Sequence, residues 1–191
     1  MYAYARNILG YHGCDASLAK RLLAGKASLM PSENAWDWLG SGIYFWEYGP
    51  DRALRFAHEQ MKRGRIKKPT VVGAVIQLGR CLDLLDTRNT TELARFYPAW
   101  EARSRAAGRT LPRNRVGADL LLRDLDNAVI NSYVDEVGNA GLAFDTVRGA
   151  FWEGGPAFPH AGVQKASHIQ IAIRNPACIV GLFSPQERGV I

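Results

Sequence analysis

Apolar and polar positions alternate weakly from Tyr2 to Gly13, and the run closes on a glycine, which predicts a short first strand. The period then changes. Asp15-Ala-Ser supplies a helix start, Leu18, Leu22 and Leu23 share one helical face, and Gly25 offers a C-terminal cap, so a short helix is expected over 15–25. Pro31 to Gly42 is rich in turn formers and reads as a loop, with Trp36 and Trp38 embedded in it. Ile43-Tyr44-Phe45-Trp46 predicts a short aromatic strand. Asp51 to Gly64 predicts a helix with Leu54, Phe56, Ala57 and Met61 turned inward, closed by the basic stretch Lys62 to Lys68. The β-branched and apolar run from Thr70 to Leu78 predicts a core strand.

Residues 88–116 combine helical fragments with Arg103, Arg105, Arg109, Arg113 and Arg115, a run of arginines without an intervening acid. A further helix is expected over Ala118 to Val137 and a strand over Phe144 to Phe151. The loop from Glu153 to Lys165 is rich in glycine and proline. Ser167 to Arg174 and Cys178 to Phe183 predict two strands joined at Asn175-Pro176. Strands and helices mix without βαβ alternation, so one α+β domain over 1–191 is expected, not a doubly wound sheet.

The chain has 191 residues, 47% of them hydrophobic and 22% charged, which is a globular composition and excludes general disorder. Lys and Arg outnumber Asp and Glu by 24 to 18, a net charge of +6 that favours anionic partners without choosing among them. The basic segments at 62–68 and 103–115 suggest nucleic acid, although such runs also serve as solvated faces. No apolar run is long enough to span a bilayer, and the N-terminus lacks the layout of an export signal. Cys14, Cys81 and Cys178 are odd in number and far apart, which suits reduced thiols. A cytoplasmic protein with no membrane partner, no zinc site and no disulfide frame is therefore expected.

Ser17-Leu-Ala-Lys20 matches the SxxK of penicillin-recognising enzymes, but no KTG follows. Gly40-Ser-Gly42 lacks the third glycine and the preceding strand of a dinucleotide fingerprint. Three segments are harder to dismiss together: Tyr11-His-Gly13, Gly40-Ser-Gly-Ile-Tyr-Phe-Trp46, and the run from His168 to Ile179. A His after a strand can donate to ribose hydroxyls, and Gly13 lets a carboxamide approach the backbone closely. Tyr44 offers a flat face to an aromatic ring, worth roughly 0.5–1.5 kcal/mol beyond area burial. Taken singly, His12 also reads as a structural histidine and Tyr44 as a core aromatic. Trp36, Trp38 and Trp46 fit either a core or a pocket wall.

Taken together and in order, the three segments resemble the ADP-ribosyltransferases of the diphtheria-toxin and poly(ADP-ribose) polymerase clade. That family carries a first-strand His-Gly, a Gly-x-Gly-Ile-Tyr-Phe strand about thirty residues later, and a catalytic glutamate near the C-terminus. Residues 80–140 match nothing in it. The resemblance implies a split β-sheet flanked by helices and NAD⁺ as substrate. It makes His12, Gly13 and Tyr44 the nucleotide-binding set, with Phe56 as the nearest replacement for a second stacking aromatic, because Arg55 stands at its usual place. It implies transfer of a single ADP-ribose to a macromolecular acceptor, RNA, DNA or protein. The setting it suggests is a bacterial toxin with an antitoxin partner or an anti-phage system.

The departure is Gln170, which stands where the family has its glutamate. A glutamine keeps an acceptor oxygen but loses the charge, and one preorganised group of that kind is worth ~10²–10³ in rate. Three explanations stand: Gln170 positions the ribose, Glu153 reaches in as the acid, or the domain binds NAD⁺, ADP-ribose or RNA without turnover. His168 lies two residues before Gln170, so on a strand both face the same side. That makes His168 a candidate acceptor-side group or base, or else a surface histidine at a strand start. Arg148 can pair the NAD⁺ phosphates or bond Asp145.

Overall fold

A computed structural model describes residues 4–186. Its strands β1 (Tyr4–Asp15), β2 (Ile43–Glu47), β3 (Pro69–Gly79), β4 (Cys81–Asp83), β7 (Thr146–Phe151), β8 (His168–Ile173) and β9 (Ile179–Phe183) form one sheet in the order β4-β7-β8-β2-β1-β3-β9. The β4–β7 pair is parallel and the rest are antiparallel. Among the described residues four α-helices accompany them: α1 (Ala16–Leu23), α2 (Pro50–Lys62), α3 (Thr87–Ala106) and α4 (Asp124–Asn139). A two-stranded hairpin, β5 (Asn114–Arg115) with β6 (Leu122–Arg123), stands apart. The α+β expectation therefore holds, with a mixed sheet.

Local chemistry accounts for most boundaries. Asp15 caps α1 by accepting from the Ser17 N–H, and Gly25 closes it at a φ of +66° that other residues adopt at a penalty. Helix α2 starts at Pro50, where a missing N–H is harmless. It buries Ala53, Ala57 and Gln60; Met61, expected inward, is 37% exposed, because small residues let α2 lie close on β1. Gly13 is the meeting point, since a side chain there would strike the Ala53 carbonyl.

The region without a sequence match is where expectation and structure differ most. Residues 87–106 form one helix, α3, with Pro98 inside it. The helix expected from Ala118 begins only at Asp124. Val116, Gly117 and Leu120 have positive φ, which helix excludes, and the Asn114 side chain accepts from the N–H groups of Leu125 and Asp126, capping α4 from a distant strand. The three-residue strand β4 had no periodicity to betray it. Tyr2 and Ala3 of the expected first strand lie outside the described residues.

Alternation divides the strands between two faces. Ile8, Phe45, Ile76, Leu78, Ile171 and Ile173 meet on one face in the main core. On the other, Leu82, Val147, Phe151 and Ala172 pack with Trp38 and Leu39 beneath Ile130 and Val134 of α4. Full burial of each such side chain contributes about 1.5–3 kcal/mol. The sheet is weakest at its centre: β1 and β2 pair at only two positions, Gly10 with Glu47 and Tyr11 with Trp46.

Candidate functional site

Beyond Tyr11 the partners β1 and β2 diverge, and a side chain takes over where the ladder stops. The Nδ1 of His12 lies 2.8 Å from the Tyr44 carbonyl oxygen, so that nitrogen carries the proton and donates it. The His12 ring shares the core face with Gly10 and Cys14 and rests near Phe45, at 5.6 Å between centroids. Burial pushes its pKa below the ordinary 6.5, against the opposing pull of the bond to Tyr44.

Gln170 lies on the opposite face. Strand register sets it beside Trp46 of β2 and Gly149 of β7. Its Oε1 accepts from the Trp38 Nε1–H at 2.6 Å, and its Nε2 donates to the His168 Nε2 at 3.0 Å. Trp38 approaches so closely because β7 has no side chain at Gly149, where a Cβ would strike the indole. The His168 tautomer follows from its other neighbour: Nδ1 lies 2.9 Å from the Ala166 carbonyl, so Nδ1 bears the hydrogen and Nε2 accepts from Gln170. Glu153 Oε1 stands 3.5 Å from that Nδ1 and is held by Arg52, whose Nε and Nη2 donate to it at 3.2 and 2.8 Å. His168 stacks on Phe151 at 5.5 Å, and burial, aided by the positive charges of Arg52 and Arg123, lowers its pKa against the pull of Ala166 and Glu153.

Gln170, His168 and Glu153 thus form one connected chain running from Trp38 to Arg52. Phe56 joins its edge, 5.0 Å from Trp46 between ring centroids. The Arg52 guanidinium lies 5.7 Å from the Trp46 ring. Two buried donors here, Trp46 Nε1 and Arg52 Nη1, have no partner within the protein. Unsatisfied buried donors are uncommon and point to a ligand oxygen or water that completes them.

Two candidates sit differently from expectation. The Tyr44 hydroxyl is tied into the turn before its own strand, donating to the Gly40 carbonyl at 2.8 Å and accepting from the Leu39 N–H at 3.0 Å. Burial, with Asp37 nearby, raises its pKa well above 10. The aromatic beside Gln170 is Trp46, two residues on and on the same face. Arg148, expected to pair the NAD⁺ phosphates or to bond Asp145, does not bond Asp145, and buried carboxylates already take up its guanidinium. It lies on the core face, where Nε donates to Glu47 at 2.6 Å and Nη1 to Asp83 at 2.9 Å, all three side chains being buried. Asp145 instead accepts from the Arg80 N–H and from Asn175.

Trp38 and Trp46, which fitted either a core or a pocket wall, adjoin Gln170, and Arg52 joins them. Arg52, in the first turn of α2, has no local signal in the sequence. Trp36 is 47% exposed and takes no part. The far side of Trp38 lines a cavity of about 360 Å³ with Leu93, Tyr97, Val129 and Ile130, between α3 and α4. Cys14, Cys81 and Cys178 are free and buried, and burial pushes the Cys14 and Cys81 thiols up to about 11 and 12. Among the described residues, no cluster of three or more His, Cys, Asp or Glu side chains is placed to hold a metal ion, and no helix is long and apolar enough to cross a membrane. Compared with protein-family models, curated proteins and solved structures, the chain matches none of them, so the site rests on its own geometry.

Proposed function

We propose that the chain is a mono-ADP-ribosyltransferase that cleaves NAD⁺ at the glycosidic bond and passes ADP-ribose to a macromolecular acceptor. One observation carries the reading: the strands bearing Tyr11-His-Gly13, Gly42-Ile-Tyr-Phe-Trp46 and His168-Ile-Gln170 are consecutive in the sheet, β1, β2 and β8, and the β1–β2 ladder is open beyond its second pair. A ligand entering that opening has His12 on one side and Trp46 with Gln170 on the other. The orphan donors Trp46 Nε1 and Arg52 Nη1 suit the acceptor-rich carboxamide, ribose and phosphate groups of such a substrate. Bound NAD⁺ would supply a glycosidic bond whose rupture leaves positive charge on the ribose.

The chain's own groups divide the work. Gln170 Oε1 has a lone pair left after Trp38 and orients a ribose hydroxyl. Neutral His168, with its proton fixed on Nδ1, presents Nε2 as a base once the Gln170 amide gives way to an acceptor hydroxyl or amine. Glu153 stabilises the imidazolium that results, and Arg52 keeps Glu153 in place. Nicotinamide release from NAD⁺ tests the reading: turnover that falls in folded His12→Ala supports it, and neither binding nor turnover at millimolar NAD⁺ overturns it.

A second reading, a module that binds NAD⁺, ADP-ribose or RNA without turnover, is favoured by one fact. Gln170 is uncharged and both ends of its amide are already engaged. NAD⁺ affinity without nicotinamide release would select it.

A further inference from the structure

Two basic segments differ in what surrounds them. In the 103–115 segment Arg103 meets Glu136 of α4, Arg105 meets Glu101 and Arg115 meets Asp124. The other segment closes α2 and opens β3. Lys62, Arg63, Arg65, Lys67 and Lys68 are all exposed, as are Lys20, Arg21 and Lys26 of α1 and the residues after it. Among the described residues none of these eight has an ion-pair partner. Arg65 bonds only the neutral Gln60 side chain.

The two elements are fastened together. The Ala16 N–H donates to the Lys68 carbonyl, and the Asp15 carboxylate accepts from the N–H groups of Lys67 and Lys68. The backbone is thus held while the lysine side chains project outward. From this end α2 leads back to the site, rising about 15 Å from Lys62 past exposed Arg55 to Arg52. At about 3.4 Å per phosphate on one strand, that is the length of roughly four phosphates.

We propose that this surface docks the phosphate backbone of duplex DNA and that α2 leads the bound duplex toward the Arg52–Glu153–His168 cluster. Unpaired surface cations exchange condensed counterions for phosphates, which is the main source of backbone affinity; cations already paired to carboxylates have much less to gain. Residues 16–30 and 59–70 contain no aromatic side chain, so the surface has nothing on which to stack the bases of a single strand. Duplex RNA is read largely through 2′-hydroxyls in its minor groove, and Lys62-Arg-Gly-Arg-Ile-Lys-Lys68 offers point charges without a hydroxyl or amide side chain. The surface binds whether or not the chain turns over NAD⁺, so its failure and the failure of the transferase reading are separate results.

The test is the fluorescence anisotropy of a labelled duplex of about 20 base pairs, titrated with the full chain over a range of salt. Changing Lys62, Arg63, Lys67 and Lys68 to Gln should weaken binding at least tenfold at low salt. It should also make the slope of log affinity against log salt shallower, by about 0.9 for each phosphate that is no longer neutralised. Arg103→Gln with Arg105→Gln should leave both within twofold. Circular dichroism checks folding, and Lys62→Gln with Arg63→Gln alone, at the helix end, should give about half the change in slope if the fourfold variant does not fold. Absence of salt-sensitive duplex binding, equal weakening in both sets of variants, or preference for a single strand, duplex RNA or anionic lipid vesicles overturns the proposal.

Discussion

Each face of the sheet around β7, β8 and β2 has a charged constellation, and the two differ in how far they are closed. On the core face Arg148 is closed in by Glu47 and Asp83, with all three side chains buried and five of their nitrogen and oxygen atoms bonded to one another. On the opposite face Arg52 also meets a carboxylate, Glu153, but the pair is partly open. It continues through His168 and Gln170 to Trp38, and donors on Arg52 and Trp46 remain unsatisfied. Among the buried side-chain atoms of the core-face cluster only Glu47 Oε1 lacks a hydrogen bond, with the half-exposed Arg6 3.5 Å away, and taking away one member strands a buried charge. An open chain of mixed polar groups has spare valences in fixed directions. The same residue types on opposite faces thus differ in closure: one cluster is buried, and the other is partly open and leaves two donors unsatisfied.

The largest effect that sharpens this contrast is expected on the closed side. Arg148→Met should destabilise the fold by about 3–5 kcal/mol, because it leaves buried Glu47 and Asp83 with only the half-exposed Arg6, 3.5 Å from Glu47, as a nearby cation. Denaturant unfolding measures it; a loss below about 1 kcal/mol with activity abolished would move Arg148 into the site. On the open side, Gln170→Ala should slow nicotinamide release by ~10²-fold while the fold survives. Gln170→Glu should keep the contact and raise NAD⁺ hydrolysis, since a carboxylate stabilises positive charge on the ribose. Glu153→Gln should matter less than Gln170→Ala. An inert Gln170→Ala beside a dead Glu153→Gln would instead place the acid on the loop.

A pH series should show a smaller effect. Burial holds the folded-state pKa of both His12 and His168 below 6.5, so between those values and 6.5 the unfolded chain binds more protons than the folded one. Stability should therefore rise with pH through that window and fall as pH drops below 6.5, by at most about 1.4 kcal/mol per unit for each group. His168→Gln should remove part of that slope, and a slope unchanged in this variant would show that the open chain does not carry it. The smallest change is expected of Trp38→Phe, which deletes one hydrogen bond to Gln170 worth about 1 kcal/mol. The freed amide should turn, and NAD⁺ turnover should shift more than the unfolding midpoint.

Much of the scaffold was legible because it is written in short-range periods. The aromatic strand at 43–46, the core strand at 70–78 and the last two strands lie within a few residues of where alternation puts them. The shared face of His168 and Gln170 follows from the period of two, and so does the place of Trp46 beside Tyr44. The segment from 80 to 140 was legible only in fragments. Strand β4 is three residues long, and the start of α4 is set by the side chain of Asn114, ten positions upstream of its first residue.

The local elements, and which residues along a strand share a face, were thus readable from the residues alone, since backbone geometry imposes periods that a few neighbours suffice to display. Which distant charges meet follows from how the strands and loops pack. Arg148 lies three residues from Asp145, yet it pairs with Glu47, 101 positions away, and with Asp83, because alternation turns its side chain into the core, where register across β8 brings Glu47 within reach and direct pairing with β4 brings Asp83. Glu153 meets Arg52 and His168 in the same way, by strand order and loop closure. Partner choice over such separations depends on burial and register, which no local period encodes.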